Sequence, residues 1–154
     1  MTFCRKAATI LHRRSGKALS GGALPARYKY LHLYPAATPS GASGTVPTAD
    51  AGKAVLSVIT YGELVYSAEK SQFREQALRQ LAELAGLLPV MELPMRAGEF
   101  YGSIRAILAA KGSMIGNNDL WIAAHAKAAG LILVTNNERE FRRIQGLEIQ
   151  NWAD

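Results

Sequence analysis

The chain has 154 residues, room for one domain with a proper core and not two. Its 49% hydrophobic and 19% charged residues are ordinary for a soluble globular protein, no apolar run approaches the roughly 18 residues that span a bilayer, and the single Cys4 excludes an internal disulfide or a Cys-rich metal centre. The net charge of +6 is unevenly placed: residues 1–49 hold seven Lys/Arg and no acid, while residues 50–154 hold eleven basic and twelve acidic side chains, so overall basicity is no sign that the folded body binds nucleic acid. A reducing, cytoplasmic compartment is the expectation.

Residues 1–50 show no sustained period of either kind. Pro25, Pro35, Pro39 and Pro47 lie in them, and PAATPSGASGTVPTADAG reads as loop or disorder, longer than a compact domain tolerates. The texture changes at residue 54, so the domain is placed at 51–154. AVLSVI suits a buried strand. In TYGELVYSAEKS, Thr60 and Glu63 have the capping-box spacing that opens a helix. QFREQALRQLAELAGLL is a second amphipathic helix ending near Pro89, and PVMEL a short strand. MRAGEFYGSIRAILAAKG is a third helix, stopped by Gly112. NDLWIAAHAKAAG is a fourth, with Asn117 or Asn118 as N-cap and Gly130 as its C-terminal signal. LILVT is a strand, NNEREFRRI a short helix and LEIQNW a last strand. Strands alternating with helices specify an α/β fold with a parallel sheet.

Sites in such sheets form at the carboxyl ends of strands. Glu63, Asp119 and Glu140 sit at three such junctions, and converging carboxylates make a hard-oxygen site suited to Mg²⁺ or Mn²⁺. Each has a plainer reading. Glu63 can complete its capping box, Asp119 can favour the positive end of its helix dipole, and Glu140 can be a solvated surface acid. His125, on an alanine-rich face, is expected as a packed histidine. Tyr61, Tyr66, Trp121 and Phe141 are expected in the core. Arg139, Arg142 and Arg143 form a basic cluster that equally suits a solvated face.

The wording of three segments is more specific than their spacing. SVITYGELVYSAEKS, IGNNDLWIAAHAKAAG and LILVTNNEREFRRIQGLEIQNW, in this order, resemble PIN-domain ribonucleases, and more narrowly VapC-type toxins of type II toxin–antitoxin pairs. The resemblance covers about residues 54–153. It implies a PIN-like α/β/α sandwich around a parallel sheet and an acidic cluster holding Mg²⁺ or Mn²⁺. By position in the motifs, Glu63 and Asp119 would be metal ligands and catalytic residues. Glu140 and Asn137 would be further members, and Thr135 a supporting hydroxyl. The implied activity is metal-dependent endoribonuclease cleavage of RNA phosphodiester bonds. The implied partners are RNA, a small VapB-type antitoxin and a second copy of the chain.

The family opens with an apolar strand ending in an Asp, worded L-D-T-N, that supplies a central ligand. Counting back from Glu63 by the family's spacing reaches about residue 27, where there is no acid, and Asp50 is too close to Glu63 to serve. The first strand is therefore expected to be missing or abnormal. Read one nucleotide forward with suitable synonymous codons, RYKYLHLY at residues 27–34 gives D-T-N-I-C-I-Y, which resembles the missing opening. The expectation is that residues 1–50 are an atypical, out-of-frame or disordered segment. A transit peptide and an RNA-binding arm are the rival readings. Without the first Asp, the alternative function is a catalytically impaired PIN domain acting as an antitoxin-binding module.

Overall fold

A computed structural model describes residues 10–13 and 54–151 of the chain. Five strands form one sheet in the order β3-β2-β1-β4-β5. They are β1 (Ile10–Arg13), β2 (Ala54–Ser57), β3 (Val90–Met91), β4 (Leu131–Val134) and β5 (Ile149–Gln150). Five helices join them: α1 (Val58–Glu69), α2 (Arg74–Leu87), α3 (Arg96–Ala110), α4 (Asn117–Ala129) and the single turn α5 (Glu138–Phe141). Among the described residues no helix is long and apolar enough to cross a membrane.

β2 pairs in parallel with β3, and β4 with β5. The central strand β1 is antiparallel to both its neighbours, with Ile10 opposite Leu56 on one side and Val134 on the other. β2 and β4 therefore run in the same sense, and the parallel frame read from the sequence holds in four strands. The fifth, abnormal as expected, is reversed. The sequence reading saw no element at ILHR. Its physical reason is backbone demand: between β2 and β4 lie two facing rows of N–H and C=O groups that burial forbids leaving unpaired. A short apolar stretch from far upstream meets that demand through its main chain. Residues 27–34, where the family's opening motif was sought, lie outside the described residues.

Side chains alternate across the sheet as a period of two requires. Val55 of β2 and Leu131 and Leu133 of β4 face a core built with Ala97, Ile104 and Leu108 of α3, Leu120, Ile122 and Ala126 of α4, and Phe141. Ala54, Leu56 and Val134 face the other way, onto Leu81, Leu84 and Leu88 at α2, with Tyr61, Leu64 and Val65 of α1 packed alongside. The result is the expected three-layer sandwich.

Two helix starts differ from the sequence reading. α1 begins at Val58, inside the expected AVLSVI strand, because Ser57 is its N-cap and Ser57 Oγ accepts from Ile59 N at 3.3 Å. Thr60 lies within the first turn, so no Thr60–Glu63 capping box exists. α4 is entered through Gly116, with no side-chain cap, so neither Asn117 nor Asn118 caps it. Its far end is as read: Gly130, at φ 64°, takes the left-handed cap. Gly112, at φ 60°, follows α3 in the same way.

Candidate active site

β2 and β4 end on the same edge of the sheet, and Glu63 lies on the helix that leaves β2 there. Glu63 projects from the second turn of α1 and is half-buried. Asn118 Nδ2 donates to Glu63 Oε1 at 2.8 Å, which draws the carboxylate to the first turn of α4. Asp119, the next residue, is only 6% exposed and sits where the unpaired N–H groups of the helix start favour negative charge. The same turn is held from α3: Tyr101 OH donates to Asn117 Oδ1 at 2.6 Å, and Arg105 Nη1 donates to Tyr101 OH at 2.8 Å. Tyr101 also stacks on Trp121, ring centroids 4.1 Å apart.

On the far side of the edge, Thr135 is buried just beyond β4, and its Oγ1 accepts from Asn137 N at 3.1 Å. Asn137 is the N-cap residue of α5 but makes no side-chain cap bond. Glu140 is held by a cation: Arg143 Nη1 lies 3.2 Å from its Oε2, and Arg139 Nε 3.7 Å from its Oε1. Arg143 in turn donates to Met114 O at 3.0 Å, tying α5 to the loop before α4. Glu138 accepts from Asn151 and pairs with Arg142, and these contacts, the Asn151 hydrogen bond first, hold its carboxyl below the usual range. The three arginines are thus matched by local acids and form no free basic patch. Among the described residues, no three acidic, His or Cys side chains come together as a metal-holding group. Glu63 and the Asp119 turn are brought together; Glu140 is engaged elsewhere.

His125 is fully buried, and burial lowers its pKa from the ordinary 6.5. Its Nδ1 lies 3.0 Å from Ser57 Oγ, while Nε2 has no hydrogen-bond partner among the described residues. It is a packed histidine, as read. Phe141 is in the core on the α3/α4 face, and Tyr61 packs against the α2-side core on the other face. Tyr66, at 64% exposed, is not a core residue: it lies on the outer face of α1, where Lys70 Nζ sits 5.1 Å from its ring centre. The sequence reading missed Ser57, Asn118, Tyr101 and Arg105. A signal existed for Ser57, two residues after Val55 and so on the same face of the sheet. Nothing in the sequence links Asn118 to Glu63, 55 residues away.

Comparison with known proteins places the fold in a family. The PIN domain family matches residues 42–147. The chain is 42% identical over 104 residues to the ribonuclease VapC2 of Haemophilus influenzae, spanning 68% of this chain and 79% of that one. It is 44% identical over 98 residues to the tRNA(fMet)-specific endonuclease VapC of Salmonella typhimurium, 64% of this chain and 74% of that one. Among solved structures, the DNA-bound VapBC complex of Salmonella typhimurium matches with a TM-score of 0.63 at 43% identity, covering 64% of this chain and 75% of that one. VapBC-1 of nontypeable Haemophilus influenzae matches at 0.62 and 41%, covering 64% and 73%. With the three-layer sandwich, the acid-bearing edge and a match across more than two thirds of its length, the chain belongs to the PIN domain family.

Proposed function

We propose that this chain is a VapC-type ribonuclease, the toxin of a type II toxin–antitoxin pair, hydrolysing RNA phosphodiester bonds with Mg²⁺ or Mn²⁺. The observation that carries the reading is the Asn118–Glu63 hydrogen bond, which assembles Glu63 with the Asp119 turn at the strand ends of a PIN sheet. Two carboxylates fit a Mg²⁺ ion, which commonly takes one or two protein carboxylates and completes its shell with water and substrate phosphate oxygens. Bound there, such an ion lowers the pKa of a coordinated water and offsets charge on the scissile phosphate. Asp119 and Glu63 are its holders in this reading. Asn118 orients Glu63, Thr135 orients the start of α5, and Asn137 and Glu140 are auxiliary members by their place in the motif.

The VapC likeness pairs the chain with a VapB-type antitoxin and a second copy of itself. Relatives named for tRNA(fMet) make initiator tRNA the first RNA to try. Purified chain with Mg²⁺ is expected to cut it, and Asp119→Asn to lose at least about a hundredfold in rate, the scale of removing a group that acts on the transition state. Equal cutting by Asp119→Asn contradicts the assignment.

A second reading is favoured by two observations. The central strand runs opposite to its neighbours, and no third acid joins the group among the described residues. In that reading the chain is an impaired PIN domain that retains antitoxin binding. Antitoxin capture without RNA cleavage, in either metal, distinguishes it.

A further inference from the structure

Two polar links cross between α1 and α4. One joins Asn118 to Glu63. The other joins Ser57 to His125, at 3.0 Å between residues that are both fully buried. They pair an early α1 position with a late α4 position, and a later α1 position with an early α4 one. Ser57 is also the N-cap of α1, its Oγ accepting from Ile59 N. The same hydroxyl therefore fixes where α1 starts and where α4 lies against it. Glu63 and Asp119 both stand six residues from this joint, one on each helix.

We propose that Ser57 and His125 are a positioning pair that sets the placement of Glu63 against the Asp119 turn, so that the buried joint governs the site without touching substrate. This rests on reading Glu63 and Asp119 as the working carboxylates. A hydrogen bond is directional in a way that alanine packing is not. The buried residues that flank His125 along α4 are Ala123, Ala124 and Ala126, whose small side chains fix distance but hold rotation and sliding weakly. Ser57–His125 supplies the missing restraint. Loss of either partner frees α1 to rotate about its first turn, and a side chain six residues along is carried with it.

The test follows the Asn118 side-chain amide by ¹⁵N NMR in the full chain, with its resonance assigned by Asn118→Ala. In the parent it is expected at a shifted, hydrogen-bonded position. His125→Leu keeps an apolar side chain in place of the ring but removes the bond, and the Asn118 signal is expected to move to its free position. His125→Asn keeps a polar atom where Nδ1 stood, and the signal is expected to stay. Ser57→Ala is expected to behave as His125→Leu; should it not fold, Ser57→Cys, near-isosteric and a poor hydrogen-bond partner, carries the same expectation. In RNA cleavage, His125→Leu is expected to lose about tenfold in kcat with KM within about twofold, and His125→Asn to recover most of it. An Asn118 signal unmoved in folded His125→Leu and Ser57→Cys overturns the proposal. A parent that cuts no RNA counts against the ribonuclease reading, while the NMR comparison still decides the pair.

Discussion

His125 shows how a motif residue can matter without touching the chemistry. Buried beside alanines with one nitrogen on Ser57, it resists protonation. Its folded pKa lies below the 6.5 of the exposed ring, so below that pH the unfolded chain binds more protons than the folded one. Its effect on stability is therefore absent well above pH 6.5 and is destabilising as pH falls through 6.5 toward the folded pKa. Thermal denaturation between pH 8 and 5 is expected to show falling stability, with a shallower fall in His125→Asn. Equal slopes would remove His125 as the cause. A packed His125 was legible from the alanines that flank it in the sequence. The sequence reading offered a Thr60–Glu63 capping box that the structure does not have, because a capping box is a local pattern. What frees Glu63 is Ser57, a better cap three residues earlier, and what engages it is Asn118, a contact of the fold.

At the scale of elements, α1 and α4 carry the site and α3 steadies it. α3 contains Gly102, an exposed helix-interior glycine with nothing within 4 Å of an added Cβ. Gly102→Ala is expected to stabilise the chain by roughly 0.5–1 kcal/mol through helix propensity alone. Denaturant titration checks this, and a lower midpoint would contradict it. Phe141 is the opposite case. It is fully buried and anchors the single turn α5 to the α3/α4 core. Phe141→Ala is expected to cost about 3–5 kcal/mol, the range for emptying a large aromatic site. A loss under about 1 kcal/mol in the same titration would show that α5 is not tied down by it. The helices were legible because their apolar periods are long and their glycine stops are clear. The strand–helix boundary at Ser57 was not, since Val58 and Ile59 read as strand by composition. β1 was illegible: a four-residue strand is recruited by the open backbone of its neighbours, and no pattern within ILHR announces that.

For the whole molecule, the frame is a PIN sandwich whose middle strand comes from residues 10–13 and runs backwards. The carboxyl end of the reversed strand, Arg13, pairs with Leu131 at the start of β4, so it lies at the sheet edge opposite the ends of β2 and β4. The fold can thus be completed by main-chain pairing while the family's opening carboxylate is not delivered by that strand's end. The out-of-frame reading of residues 1–50 concerns residues outside the described ones, and the coding DNA across residues 20–55 tests it. Codons 27–34 that spell D-T-N-I-C-I-Y one nucleotide forward are the expected result, and any other spelling ends the idea. The charge division matters at this scale too. For the proposed ribonuclease, the near-neutral body leaves RNA grip to particular side chains rather than to a general field. The most direct measurement is the single-turnover rate of initiator tRNA cleavage against Mg²⁺ concentration, for the parent, Glu63→Gln, Asp119→Asn and the remote α2 control Glu75→Gln. The account predicts a Mg²⁺-dependent rate in the parent and in Glu75→Gln, and a loss of about a hundredfold or more in the other two. Mg²⁺-independent cleavage, or full rates in Glu63→Gln and Asp119→Asn, would contradict it.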